Sequence, residues 1–153
     1  MAKKRYAVGL GTYAQSDDGI GLHIIEHLNE KALAHGFEAI EVGNNGLQLI
    51  NLFADQPERI VVVDCAYIGK KPGELLVFTP DDVMTQKVTG TISTHEGDIL
   101  KLIALARQLN YAIPPITILG IQPQSTANGM ELSPALQDNI PLYVQVVIEE
   151  IFK

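Results

Sequence analysis

Two acidic side chains and one imidazole, those of Asp18, Asp64 and His95, are the groups of this chain best suited to chemistry. Asp18 follows the loop after the first predicted strand, Asp64 follows a central predicted strand, and His95 lies in a later connection. In a parallel α/β fold, segments that leave the carboxyl ends of the strands meet at one edge of the sheet, where such folds bind ligands. Two carboxylates and an imidazole at that edge form a suitable three-ligand set for a borderline divalent metal.

Each of these residues also has an ordinary structural explanation. Asp18 lies at the start of a predicted helix, where the dipole favours acidic side chains, and Asp17 beside it is the expected cap. Asp64 is equally suited to cap the turn after its strand, and His95 taken alone fits an exposed residue before a helix. The spacing therefore raises a three-residue site as a hypothesis and leaves its purpose open.

The glycine-containing loop after the first strand raises an alternative function. Residues 9–14 satisfy a loose form of the dinucleotide-binding fingerprint. That fingerprint requires the helix to begin inside the glycine loop, whereas this loop continues to Ser16. Asp17 and Asp18 then stand at the helix start, where their carboxylates would repel a pyrophosphate. Nucleotide binding therefore ranks below a metal-dependent site.

Other potential metal ligands are weaker candidates. His23 and His27 are four residues apart on a predicted helix, but no glutamate follows His23 to complete a metalloprotease pattern. Cys65 is adjacent to Asp64, and a small buried residue is the stronger interpretation of it than a thiolate ligand. The chain also lacks a Gly-x-Ser-x-Gly motif and paired cysteines, which leaves serine-hydrolase and dithiol chemistry unsupported.

The overall composition limits the classes of function. The 153 residues suit a single domain over residues 1–153, and the net charge of −7 argues against a nucleic-acid partner. The single cysteine excludes an internal disulfide and suits a reducing, cytoplasmic location. No apolar run approaches the roughly 20 residues of a membrane span, so no membrane association is expected.

The elements that must position the candidate residues follow the order βαβαββαβα. The sequence predicts strands over residues 6–10, 37–42, 60–63, 74–78 and 116–121, and helices over 19–34, 47–54, 96–109 and from 133 onward. Residues 79–95 show no clear periodicity. This order predicts an α/β three-layer sandwich, with a twisted, mostly parallel sheet of about five strands and helices on both faces. The strand over 74–78 follows its predecessor closely and is expected to be antiparallel.

Five segments in order resemble the nickel–iron hydrogenase maturation proteases. They are the glycine loop with its acidic pair, the strand ending in Asp64, the Ser-x-His segment ending in His95, and two C-terminal segments over residues 118–123 and 129–134. Each segment is weak alone, and their order across almost the whole chain makes the resemblance fairly specific.

The resemblance implies both an activity and a site. Members of that family are endopeptidases that remove a C-terminal extension from the precursor of the hydrogenase large subunit. Carried over, Asp18, Asp64 and His95 are the metal-contacting and catalytic residues, and the metal is nickel already placed in the substrate. The alternative is a non-catalytic relative that binds metal or peptide as a maturation chaperone.

Two positions depart from the family pattern. Thr12 stands where the family usually has asparagine after the second glycine. Residues 41–44 read Glu-Val-Gly-Asn where the family usually has Asp-Gly-Gly-Thr or similar. That turn is expected to help choose or place the substrate, so the departures bear on which hydrogenase is processed.

Overall fold

A computed structural model of the chain describes residues 3–84 and 98–153. Within these residues, one sheet contains the strands β1 Arg5–Leu10, β2 Glu38–Gly43, β3 Arg59–Cys65, β4 Leu75–Phe78 and β5 Ile116–Ile121. The helices are α1 Ile20–His35, α2 Gly46–Phe53, α3 Pro80–Met84, α4 Asp98–Gln108, α5 Pro134–Gln137 and α6 Ile140–Ile151. A 3-10 turn, Ser16–Gly19, precedes α1.

The strand order β2-β1-β3-β5-β4 determines where a ligand site can form. All neighbouring pairs are parallel except β4 with β5, which confirms the mostly parallel sheet and the antiparallel fourth strand. The chain leaves β1 for β2 on one side, and then crosses back to place β3 on the other side of β1. This reversal creates a crevice between the carboxyl ends of β1 and β3, the usual ligand position in open α/β sheets.

Two apolar cores cover the two faces of the sheet. Side chains on successive strand residues point to opposite faces. Val61 and Val63 therefore pack with α1 and α6, while Ile60 and Val62 pack with α2 and α4. The continuous apolar run of β3 is explained by this burial on both faces.

The structure differs from the sequence prediction in three places. Helix α3 lies within the stretch predicted to be irregular. The last helix is divided into α5 and α6, because Pro141 is placed in the first turn of a new helix. Strand β3 continues two residues beyond Val63, since β5 extends far enough to pair with it, and Asp64 lies opposite Gly120 inside the ladder. Among the described helices, none has the length and apolar character needed to cross a bilayer.

Candidate active site

Helix α1 begins directly over the carboxyl ends of β1 and β3. A Cβ atom added to Gly21, in the first turn of α1, would lie 2.4 Å from the carbonyl oxygen of Val63 and 2.7 Å from that of Leu10. Only glycine permits backbone to approach backbone this closely. The close approach brings the 3-10 turn that carries Asp17 and Asp18 onto the crevice between the two strands.

The side chain of Asp18 is buried beneath the glycine loop, and only 5% of the residue is exposed. Its Oδ2 accepts a hydrogen bond from the backbone N–H of Thr12 at 3.0 Å. Gly11 allows the loop to fold over it: its φ is +125°, and an added Cβ would lie 2.0 Å from the carbonyl oxygen of Asp18. The loop after β1 therefore encloses Asp18 and holds its carboxylate in place.

Asp17 does not cap a helix, so that expectation is wrong. Its fully buried carboxylate accepts hydrogen bonds from the backbone N–H groups of Gln124, Ser125 and Ser133 and from the hydroxyl of Ser133, over 2.8–3.1 Å. The reason is tertiary: the loop after β5 packs over the 3-10 turn and presents more donors to Asp17 than a helix end would. Asp17 thus fixes this loop, and Asp18 next to it faces the glycine loop.

The Ser133 hydroxyl does not cap the helix that follows it. Ser133 occupies the N-cap position of α5, but its side chain makes no cap hydrogen bond there and donates to Asp17 instead. The backbone adds further links between the two loops, because Ser16 N–H donates to Gly129 O at 2.8 Å and Gly129 N–H donates to Ala14 O at 2.9 Å. The C-terminal segment over residues 129–134 is therefore built into the wall of the site.

Asp64 is buried at the end of β3, with 2% of the residue exposed. Burial raises the pKa of the neighbouring Cys65 thiol, and the negative charges of Asp64, Asp18 and Asp17 raise it further. The 3-10 turn that carries Asp18 packs against β3, which contains Asp64, so both carboxylates belong to the same crevice. Cys65 itself is buried, with 4% of the residue exposed, in agreement with its interpretation as a small buried residue.

The two positions that depart from the family pattern are in direct contact. The side-chain amide of Asn44 donates to the hydroxyl oxygen of Thr12 at 2.7 Å. Nearby, the N–H of Gly11 donates to the carbonyl oxygen of Gly43 at 3.2 Å. The turn after β2 is thus connected to Asp18 in two steps, through the Thr12 side chain and then the Thr12 backbone N–H.

Tyr13 links the same loop to α1 and to the end of β2. Its hydroxyl lies 2.7 Å from Oε1 of Glu41 and also contacts the carboxylate of Glu26. Burial raises the pKa of Tyr13. The hydrogen bonds to the two glutamates raise this pKa further, and so do the negative charges of the glutamates. The ring packs edge-on against His23, with ring centroids 5.2 Å apart. Tyr13 therefore fastens the glycine loop to α1 and to β2.

The remaining candidate ligands are histidines: His95, and the pair His23 and His27. His95 lies outside the described residues, so its position relative to the two carboxylates stays a prediction. The i, i+4 pair of His23 and His27 is not joined by a third ligand: within residues 3–84 and 98–153, no group of three or more His, Cys, Asp or Glu residues could hold a metal ion. The ring of His27 instead contacts the backbone carbonyl of His23 at 2.9 Å.

The carboxylates of Asp18 and Asp64 are suited to several kinds of chemistry. Two buried carboxylates at a crevice can bind a cation together, accept a proton or orient a water molecule. Sequence reasoning identified both of these residues but missed the partners of Asp17. No local signal could have revealed those partners, because they lie up to 116 residues away along the chain.

Comparisons with known proteins agree with this architecture. The sequence profile of a family described as hydrogenase maturation protease matches residues 22–150. A hydrogenase expression/formation protein HupD from Rhodobacter capsulatus is 27% identical over 146 residues, which cover 94% of this chain and 69% of HupD.

Solved structures show the same fold. The [NiFe] hydrogenase maturation protease HybD from Thermococcus kodakarensis superposes with a TM-score of 0.75 at 30% identity, covering 96% of this chain and 99% of HybD. The hydrogenase maturating endopeptidase HybD from Escherichia coli, at 21% identity, shares the fold with a TM-score of 0.76 over 95% of this chain and 91% of its own. With most of its length matched by the family profile and by these relatives, the chain belongs to the hydrogenase maturation protease family.

Proposed function

We propose that this protein is the cytoplasmic endopeptidase that removes the C-terminal extension from a nickel-loaded hydrogenase large-subunit precursor. In this proposal Asp18, Asp64 and His95 contact the nickel carried by the substrate. The observation that supports it best is the burial of two carboxylates, Asp18 and Asp64, at the crevice between β1 and β3 in a chain of the protease family.

The donor chemistry fits a metal that arrives with the substrate. Asp18 and Asp64 supply hard oxygen ligands, and a third nitrogen ligand from His95 would suit a borderline ion such as nickel. Helix α4 begins at Asp98, three residues after His95, and its residues Lys101 and Leu102 adjoin the ends of β1 and β2 at this same edge. A site with only these protein ligands would bind the ion weakly when the substrate is absent.

Peptide hydrolysis needs a positioned water, a polarised carbonyl and a proton for the leaving amine. When bound, nickel would supply Lewis acidity at the crevice. Asp18 is held by the N–H of Thr12 and is therefore presented in a fixed orientation. Asp64 is held by the rigid ladder with β5 and would orient the water or accept its proton. Asp17 contributes by keeping the loop after β5 closed over the turn.

The test compares cleavage of two forms of one precursor. The protein is incubated with nickel-loaded and with nickel-free large-subunit precursor, and loss of the extension is followed as a change in mass. We expect cleavage of the loaded form alone. Equal cleavage of both forms would refute the dependence on nickel, and binding of the loaded precursor without cleavage would favour the chaperone alternative.

Site variants test the assignment of residues. Asp18→Asn, Asp64→Asn and His95→Ala are each expected to slow cleavage by about a hundredfold or more, because each removes a group that acts on the substrate directly. Asp138→Asn is the matched control, since that residue is an exposed acid in the turn after α5. Thermal unfolding of every variant shows whether it is folded. Normal cleavage by folded Asp18→Asn would refute the site.

A further inference from the structure

An apolar pocket of about 240 Å³ opens between α2 and α4 at the carboxyl edge of the sheet. Leu10 at the end of β1 and Leu102 and Leu105 of α4 form its apolar walls. The backbone at Gly46 closes the side toward α2, where an added Cβ would lie 2.5 Å from a methyl group of Leu102. Lys101 adds a positive charge to the wall.

The pocket shares its walls with the loops that hold Asp18. Leu10 leads directly into Gly11, whose N–H donates to the carbonyl oxygen of Gly43 in the pocket wall. Asn44 also lines the pocket, and its amide donates to the Thr12 hydroxyl. A peptide lying across the crevice therefore passes the pocket mouth within a few residues of the carboxylates.

The size of the pocket fits one side chain. Binding sites for small molecules usually measure about 300–1,000 Å³, which is larger than this pocket. A leucine- and phenylalanine-lined cavity of about 150 Å³ holds a benzene ring, so 240 Å³ suffices for a side chain between leucine and phenylalanine in size. Leu105 at the wall and Leu47 in the first turn of α2 also remain exposed, as expected of a surface that a partner covers.

We propose that this pocket receives one apolar side chain of the precursor close to the bond that is cut. Lys101 would form an ion pair with a carboxylate of the same segment of the precursor. It places a positive charge at the pocket in a protein whose net charge is −7. The identity of the occupant rests on the proposed function, whereas the preference for an apolar side chain rests on the pocket alone.

Blocked amino acids test the pocket without any cleavage. The 15N-labelled protein is titrated with N-acetyl-leucine amide, N-acetyl-phenylalanine amide and N-acetyl-alanine amide, and amide shifts are followed by NMR. Shifts are expected at Gly43, Gly46 and Leu105, with leucine bound at least tenfold more tightly than alanine because it buries three more apolar carbons. N-acetyl-leucine with a free carboxylate should bind several times more tightly than its amide, and Lys101→Gln should abolish that difference. If no amide shifts appear, or if the leucine and alanine derivatives bind equally tightly, the pocket is not a site for an apolar side chain.

Cleavage kinetics then test the occupant. Leu105→Asp should raise the precursor concentration for half-maximal cleavage at least tenfold while kcat changes less than threefold. The matched control is Leu109→Asp, an equally drastic change at an exposed leucine just beyond the end of α4. If cleavage kinetics are unchanged in Leu105→Asp, the occupant of the pocket is not a side chain of the precursor. Shifts with the blocked leucine in a protein that cleaves nothing would refute the proposed function and leave the pocket standing.

Discussion

Replacing Asp17 by alanine should destabilise the protein strongly, although Asp17 is not assigned to the reaction. The carboxylate accepts four hydrogen bonds that hold the loop over residues 124–133 against the turn before α1. Hydrogen bonds to a charged group contribute about 1.5–3 kcal/mol each. The simple sum of about 6–12 kcal/mol would equal the whole stability of a typical domain, so it overestimates the effect.

The structure indicates how far to reduce that sum. Gln124 and Ser125 are exposed, so water can replace the carboxylate at their N–H groups after the substitution. The two bonds from Ser133 are less accessible and should be lost in full. We therefore expect a loss of about 3–5 kcal/mol, the range found when one partner of a buried charged network is removed. For a chain of this size that corresponds to a fall in Tm of about 6–20 °C.

Urea titration and thermal unfolding followed by circular dichroism would measure the loss. Asp17→Asn keeps the shape and one acceptor oxygen but turns an amide N–H toward a donor, so an intermediate loss of about 1–3 kcal/mol is expected. Asp18→Asn is the matched neighbour: it removes one of several clustered negative charges, and its Tm should stay within about 3 °C of the wild type while cleavage is lost. A fall in Tm of less than about 3 °C for Asp17→Ala would refute the structural role given to this residue.

Three further predictions concern the surroundings of the site. In a double-mutant cycle, Thr12→Val and Asn44→Ala should couple by about 0.5–1 kcal/mol in the free energy of unfolding, and additive effects would contradict their hydrogen bond. Gly21→Ala should cost about 3 kcal/mol or more, because its Cβ meets two strand carbonyl oxygens, whereas Gly46→Ala meets only a movable leucine side chain; equal losses in urea titrations would refute this contrast. Burial raises the pKa of Tyr143 from 10.0 to about 12, so the folded state disfavours the phenolate and stability is lost as the pH rises above 10. Tyr143→Phe should reduce the fall in unfolding free energy between pH 10 and 12 by about 1.4 kcal/mol per pH unit, and an unchanged slope would contradict the shift.

Local patterns were sufficient to predict most of the framework. The apolar run of β3, the four-residue apolar periodicity of α1 and the close succession of β3 and β4 predicted these elements and the mixed sheet. They succeeded because burial on two faces, or on one helical stripe, leaves a signal in neighbouring residues. The same signal does not locate the ends of helices and strands or the breaks within them. An example is the division between α5 and α6, where a single proline in the first turn of α6 starts a new helix.

The acidic pair shows what remains hidden from the sequence. Asp17 and Asp18 have the same chemistry and adjacent positions, and a helix start explains either of them. Their separate roles depend on which loops pack against each: the segment after β5 brings donors to Asp17, and the glycine loop encloses Asp18. Those partners lie up to 116 residues away, so no local pattern could have separated the two roles.

The sequence by itself thus determined the fold class, the candidate residues and the resemblance to a protease family. The tertiary structure decided that the turn carrying Asp18 packs against the strand carrying Asp64, that Asp17 is an anchor, and that Thr12 and Asn44 form one contact. The physical reason is the separation along the chain of the groups that interact. Apolar periodicity is recorded locally along the chain, whereas electrostatic and hydrogen-bond partners are chosen by the crossing of strands at the switch point.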